Sequence, residues 1–299
     1  MNLSHVKYFH NKEVKILPSI YLNDRYPSCF LIECEQQYFK LRVSSGFNTN
    51  AVSCEINALQ ILSPILDSMV PRIIESNTES VSQSFIIENF LPGKSIDKLH
   101  EKELVQYSNI ISEQLSYFLK RLYHITATGY GELDAPFYET YKEWLLNKLS
   151  VHILYHREMG FISNNTLNKI YDLFNNTTVF KETSPHFLHF DIKPQNLIFC
   201  AELQQLFVVD FEFSRFGDVE HELFRAERKS SRYPIFADKI LSPVIKQYLI
   251  STHKTLLEEK KYLFSIYYDL SELTYLLKRN EYGKVKTILK SLKKQLSEI

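Results

Sequence analysis

The sequence predicts an α+β fold of two lobes: a small antiparallel-sheet N-lobe with one helix, and a larger, mostly helical C-lobe. Three observations predict it. Short runs alternating apolar and polar side chains fill about the first ninety residues, which is the period of half-buried strands. After Gly93 the apolar spacing lengthens to that of amphipathic helices. Between the two, "LPG" at 91–93 interrupts both patterns, as Pro and Gly do where an element must stop. The lobes are therefore expected at 1–92 and 93–299.

The elements follow in order. "VKILPSIYL" (14–22) and "CFLIECE" (29–35) read as strands flanking a turn-like "NDRYPS". In "YFKLRV" (38–43), Lys40 and Arg42 share one strand face, and Phe39, Leu41 and Val43 share the other. In "AVSCEINALQIL" (51–62), Glu55, Ala58, Leu59 and Leu62 fall at i, i+3, i+4 and i+7, so a glutamate heads the inner stripe of a helix. "PRIIES" (71–76) and "SFIIENF" (84–90) are two more strands. The C-lobe is expected to hold helices at 102–125, 137–159 and 166–176, with a loop at 129–136. Period two returns in "FLHF" (187–190), "LIFC" (197–200) and "FVVD" (207–210). The last two are expected to pair as a hairpin, with Leu197 opposite Val209. Helical patterns resume from Val219, and no internal repeat or low-complexity segment occurs.

Composition narrows the function classes. The chain has 299 residues, 44% of them hydrophobic and 23% charged, the balance of a globular protein. Lys plus Arg and Asp plus Glu both number 35, so no overall basic field points to nucleic acid. No run approaches the roughly 18 apolar residues of a membrane span. The first residues lack the apolar core of a secretory signal. Cys29, Cys34, Cys54 and Cys200 form no C-x-x-C pair and read as free thiols. A cytoplasmic protein, monomer or homodimer, with no nucleic-acid or membrane partner is expected. None of the seven glycines precedes Gly46, which excludes the common glycine-rich phosphate loops from the N-terminal region.

The most informative stretch is "LHFDIKPQN" (188–196). Asp191 stands five residues before Asn196, across a loop stiffened by Pro194. A 197–200/207–210 hairpin would bring Asn196 beside Asp210. The alternative is three capping residues on an ordinary hairpin. Phosphoryl transfer, however, needs this set: a carboxylate for the proton of the attacking hydroxyl, and an amide oxygen and second carboxylate for Mg²⁺. Asp191 suits the first role, and Asn196 and Asp210 the second. Upstream, a strand lysine held by a helix glutamate would reach nucleotide phosphates, which are the roles of Lys40 and Glu55. Arg42 shares the strand face and stays open as a second phosphate ligand. The segment "IIENF", with Ile87, Glu88 and Phe90, would lie along the base and bind it through backbone groups, leaving the Glu88 and Phe90 side chains little constrained.

Taken with "YFKLR", "CEINALQIL", "IIENFLPGKSI", "GYGEL", "HFDIKPQNLIF" and "VVDFEFSRFGDVEHEL", the chain resembles the aminoglycoside phosphotransferase and choline kinase family, which has a protein-kinase-like fold. The resemblance covers nearly the whole chain, and its last two stretches are the most specific. It implies an ATP- or GTP-dependent phosphotransferase acting on a small-molecule alcohol. In it Asp191 is the catalytic base, Asn196 and Asp210 bind Mg²⁺, and Lys40 pairs with Glu55. His189 fixes the catalytic loop. The chain departs from the family at Phe190, where glycine is usual, and at Lys193-Pro194, which is closer to protein kinases. Lys193 there would neutralise charge on the transferred group. With no glycine at 23–28, Ser28 and its neighbours would have to hold the nucleotide.

Two rival functions are a protein kinase and a catalytically inactive nucleotide-binding module. Against the first, Asp210-Phe211-Glu212 replaces Asp-Phe-Gly, and only seven residues separate Asp210 from Asp218. His152 and His156 read as a helix face. Trp144, Tyr138 and Tyr141 suit either an acceptor wall or the core. For the acceptor itself, carboxylates Glu212, Asp218, Glu220 and Glu222 interleave with the basic Arg225, Arg228, Lys229 and Arg232, and neither sign prevails.

Overall fold

Strands β2 (Cys29–Cys34) and β3 (Gln37–Val43) turn back on each other through Glu35 and Gln36. Both turn residues have left-handed φ, 51° and 63°, the geometry that matches the twist of a two-residue hairpin. The structure is a computed structural model that describes residues 6–17, 29–44, 49–66, 68–78, 84–134, 137–249 and 254–297. With β1 (Val14–Leu17), β4 (Ile73–Asn77) and β5 (Phe85–Asn89), these strands form an antiparallel sheet in the order β1-β2-β3-β5-β4. The register sets Lys40 opposite Glu88 and Arg42 opposite Ile86. Helix α1 (Thr49–Leu66) packs its Val52, Ile56, Leu59 and Leu62 stripe into the main core. It runs past the expected end at 62 and contains Pro64. The strand expected at 14–22 is seen to Leu17, and its remainder lies outside the described residues.

Beyond β5 the chain crosses the Phe199 backbone at Gly93. Its φ is 110°, and a Cβ there would lie 2.4 Å from the Phe199 carbonyl oxygen, so only glycine fits this crossing. The next two residues form β6 (Lys94–Ser95), which pairs with β9 (Leu197–Cys200), and β9 pairs with β10 (Gln205–Val208). A third small sheet orders β7 (Gly131–Glu132), β11 (Arg215–Gly217) and β8 (His186–Leu188) as β7-β11-β8. Helices α2 (Glu101–Tyr123), α3 (Tyr141–Met159), α4 (Asn164–Asn176), α5 (Val219–Ser230), α6 (Ser242–Leu249), α7 (Lys254–Lys278) and α8 (Val285–Leu296) complete the lobe. Among the described residues, no helix is long and apolar enough to cross a membrane.

An element boundary and a register in the C-lobe also differ from the sequence reading. Helix α3 starts at Tyr141, four residues later than expected, because Thr140 and Glu143 cap it reciprocally, each side chain meeting the other's backbone N–H at 3.2 Å. The hairpin register is shifted by one: Val208, and not Val209, lies opposite Leu197. Strand β10 begins two residues earlier than expected, at Gln205, and the last hairpin contact is the Val209 N–H on the Asn196 carbonyl.

Trp144 and Tyr141 are each 1% exposed and belong to the core rather than to an acceptor wall. His156 is buried against the Leu270 carbonyl and Thr274, and His152 also meets Thr274, which makes the pair a packed helix face.

Candidate active site

Asp191 is fully buried at the mouth of the β8-to-β9 connection. His189 sets its backbone. The His189 ring meets the Val209 carbonyl through Nε2 at 2.9 Å, and its Nδ1 accepts the Asp191 N–H at 3.1 Å. One donor and one acceptor nitrogen describe a neutral imidazole, and burial pulls His189 down to about 4. Asn196 closes the loop, its amide nitrogen donating to the Asp191 carbonyl at 3.1 Å and to Oδ2 at 3.0 Å. That leaves the amide oxygen as the end available to a cation. Val209 N–H donates to the Asn196 carbonyl at 3.0 Å, so Asp210 follows directly beyond the last hairpin contact. Asp210 itself has a left-handed φ of 70°, which turns its side chain out of the strand pattern.

The N-lobe brings Lys40, Arg42, Glu55 and Glu88 to the same cleft. Lys40 Nζ lies 2.8 Å from Glu88 Oε2 and 3.7 Å from Glu55 Oε1. Arg42 is the closer partner of Glu55, at 2.6 Å, and also reaches Asp210 at 3.4 Å and Glu212. Both basic side chains thus serve the glutamate that heads the α1 stripe. Burial works against the Lys40 charge, but Glu55 and Glu88 overcome it and raise its pKa. Burial likewise pushes the Glu55 carboxyl up, and Lys40 and Arg42 outweigh it, holding Glu55 below its usual value. Asp210 is pushed up to about 6 by burial together with Glu212 and Glu55.

The remaining expected residues are placed as follows. Ile87 is fully buried in the N-lobe core. Contrary to the sequence reading, the Glu88 side chain is tightly constrained: it is 1% exposed and pairs with Lys40. The Phe90 N–H, offered to a base by that reading, donates instead to the Tyr38 carbonyl at 3.1 Å. Ser28 and the 23–28 turn lie outside the described residues.

Sequence reasoning underrated α5. Asp218 caps it by accepting the Glu220 N–H at 2.8 Å, which starts the helix beside the loop that carries Asp191. From α5, Glu222 accepts the Phe190 N–H at 2.6 Å, and Arg225 Nε donates to the Phe190 carbonyl at 2.7 Å. Phe190, which stands where the family has glycine, has a φ of 61°. Its ring lies under Arg215 at 4.1 Å and Arg225 at 4.9 Å. Arg225 and Lys229 both reach Asp191 Oδ1, the former at 3.6 Å, and Lys193 reaches Oδ2 at 2.5 Å. The i, i+4 spacing of Arg225 and Lys229 was the available signal.

A divalent cation fits this donor set. Among the described residues, no group of three or more His, Cys, Asp or Glu side chains is arranged to hold a metal unaided. Asn196 and Asp210 would contribute two hard oxygens, with phosphate oxygens and water completing the shell, as Mg²⁺ prefers. Burial first, and then Glu212 and Glu55, disfavour the charged Asp210, and a bound cation would favour it.

Comparison with known proteins gives the family and the fold. The family model described as the phosphotransferase enzyme family matches residues 27–238. No curated protein matches the chain. Among solved structures, aminoglycoside phosphotransferase APH(2'')-IIa in complex with gentamicin is 21% identical, with a TM-score of 0.64 over 94% of this chain and 90% of that one. ADP-bound APH(2'')-Ib is 19% identical, with a TM-score of 0.64 over 98% and 95%. A thermostable APH(4)-Ia in ternary complex with ADP and hygromycin B is 12% identical, with a TM-score of 0.66 over 98% and 96%. At these identities the likeness shows the fold: a kinase-like architecture with an antiparallel-sheet N-lobe and a helical C-lobe.

Proposed function

This chain belongs to the phosphotransferase enzyme family, and from that premise we propose that it moves the γ-phosphoryl group of ATP or GTP to a hydroxyl of a small molecule. The observation that carries the proposal is the junction at which Asn196 binds Asp191 and the hairpin behind it ends on Asp210. Asp191 accepts the proton of the acceptor hydroxyl as that oxygen bonds to phosphorus and the nucleoside diphosphate leaves. Lys193, beside it, offsets charge on the transferred group. Asn196 and Asp210 would hold Mg²⁺, which when bound neutralises the phosphate oxygens. Lys40, positioned by Glu55 and Glu88, reaches the phosphates from the N-lobe, and the backbone around Ile87 to Phe90 borders the base. Both ADP and GDP complexes occur among the similar folds, which supports a nucleoside triphosphate donor of either kind. In this reading residues 1–92 bind nucleotide, and residues 93–299 hold the catalytic loop and acceptor site of a cytoplasmic enzyme.

Asp191→Asn tests the assignment. Loss of a general base typically costs on the order of 10²–10⁴-fold in rate, so turnover should fall into that range while calorimetric binding of Mg²⁺-nucleotide persists. A variant retaining more than about a third of the parent rate would show that Asp191 is not the base.

A further inference from the structure

The four carboxylates that the sequence offered to a polycationic acceptor are all spent inside the protein. Glu212 meets Arg42, Asp218 and Glu220 meet Lys260, and Glu222 accepts the Phe190 N–H. The side chains that face Asp191 are positive instead. Lys193, Arg225 and Lys229 converge on this one carboxylate.

The charges in the cleft separate by side. On the N-lobe side two cations, Lys40 and Arg42, stand among four carboxylates, Glu55, Glu88, Asp210 and Glu212. That surplus of acid suits a divalent cation. On the α5 side three cations reach Asp191, and buried Glu222 also interacts with Arg225. Three cations against two carboxylates still leave a surplus of base. Lys193 has a place beside the transferred phosphoryl group, which leaves Arg225 and Lys229, one helical turn apart. Beside them lies Phe213, 38% exposed, its ring 5.8 Å from the Arg225 guanidinium and 5.9 Å from Lys229 Nζ. A fork-shaped guanidinium and a mobile ammonium on one helix face are a suitable receptor for an oxyanion.

Resting on the phosphotransferase reading, we propose that the acceptor is an anionic alcohol, one whose carboxylate or phosphate group is bound by Arg225 and Lys229. Its oxyanion takes from Asp191 the contacts these two side chains now make, and Asp191 Oδ1 is released to the acceptor hydroxyl. Phe213 covers the carbon chain between the two groups. Arg225 keeps its Nε on the Phe190 carbonyl throughout, so the terminal guanidinium nitrogens do the binding.

Matched acceptors test this with the full chain and Mg²⁺-ATP or Mg²⁺-GTP. Glycerol is compared with glycerol 3-phosphate and glycerate, and ribose with ribose 5-phosphate and ribonate, and choline and kanamycin serve as cations. The phosphate and carboxylate arms identify which oxyanion is used. An anionic member should exceed its neutral parent at least about tenfold in kcat/KM, the worth of one charge-assisted hydrogen bond. Lys229→Gln should raise the KM for that member about tenfold or more with the nucleotide KM unchanged, and Lys229→Arg should recover most of the loss. Preference for choline, kanamycin or a neutral alcohol overturns the proposal, as does a panel in which no anionic member is phosphorylated. Absence of Mg²⁺-nucleotide binding in calorimetry would instead overturn the phosphotransferase reading beneath it.

Discussion

Arg42 and Lys40 sit two residues apart on one strand face, yet they have different work. Arg42 is 5% exposed and holds Glu55, Asp210 and Glu212 together across the lobes. Removing it leaves buried carboxylates without their counter-charge, a loss of about 3–5 kcal/mol. Arg42→Ala should therefore melt at clearly lower temperature, measured by circular dichroism. Lys40 is partly exposed and Glu55 keeps Arg42 without it, but Glu88 loses its ion-pair partner, so Lys40→Ala should lower the melting temperature less than Arg42→Ala does and should lose turnover or raise the KM for nucleotide. The opposite pattern would exchange the two roles. Sequence alone left this pair open because Asp210 and Glu212 lie 168 and 170 residues from Arg42 along the chain. Phe190 is a second residue whose meaning only the fold supplies. A left-handed φ costs a non-glycine residue roughly 1–2 kcal/mol, and here the ring stacked beneath Arg215 and Arg225 offsets it.

Helix α5 holds the 189–191 loop, through Glu222 and Arg225 on the Phe190 backbone and Lys229 on Asp191. Its Glu222 is 1% exposed, and burial pushes its carboxyl up to about 7 while the Phe190 N–H works the other way. The folded pKa thus lies above the unfolded value. The stability this group contributes is full below about pH 4, near the unfolded carboxyl, and fades as pH rises through about 7. Glu222→Gln keeps an acceptor for Phe190 and cannot ionise. Relative to the parent it should gain on the order of 1–3 kcal/mol between pH 5 and 9. Thermal melts across that range decide it, and a constant difference between the two proteins would refute the shift. The β9–β10 hairpin was legible as an element because its alternation is strong. Its register was not, because the loop at 201–204 pairs Gln205 with Cys200 and so Val208 with Leu197, and the alternation does not show where that loop ends. The α3 start was legible in the Thr140-to-Glu143 spacing and was passed over for the apolar Phe137 and Tyr138 before it.

For the whole molecule, two lobes were legible because the period of the apolar residues changes at a Pro-Gly break. The candidate set Asp191, Asn196 and Asp210 was legible from its spacing in the loop and hairpin. The basic face over Asp191 was weighed only as one option, since the contacts of Arg225 and Lys229 depend on where the Asp218 cap starts a helix. Gly93 carries a consequence of its own. Its backbone rests on the Phe199 carbonyl, and β6 begins one residue later, on the strand that follows Asn196. Gly93→Ala would need both a strained φ, costing roughly 1–3 kcal/mol, and a shift of β9. It should lower the melting temperature and turnover together, and unchanged values of both would count against the tight crossing. The linker is thus fastened to the hairpin that carries Asn196 and leads to Asp210. In the proposed enzyme, any movement of the sheet lobe against the helical lobe would pull on that hairpin through this tight crossing, so closing on a nucleotide and setting the proposed metal ligands would be one mechanical coordinate.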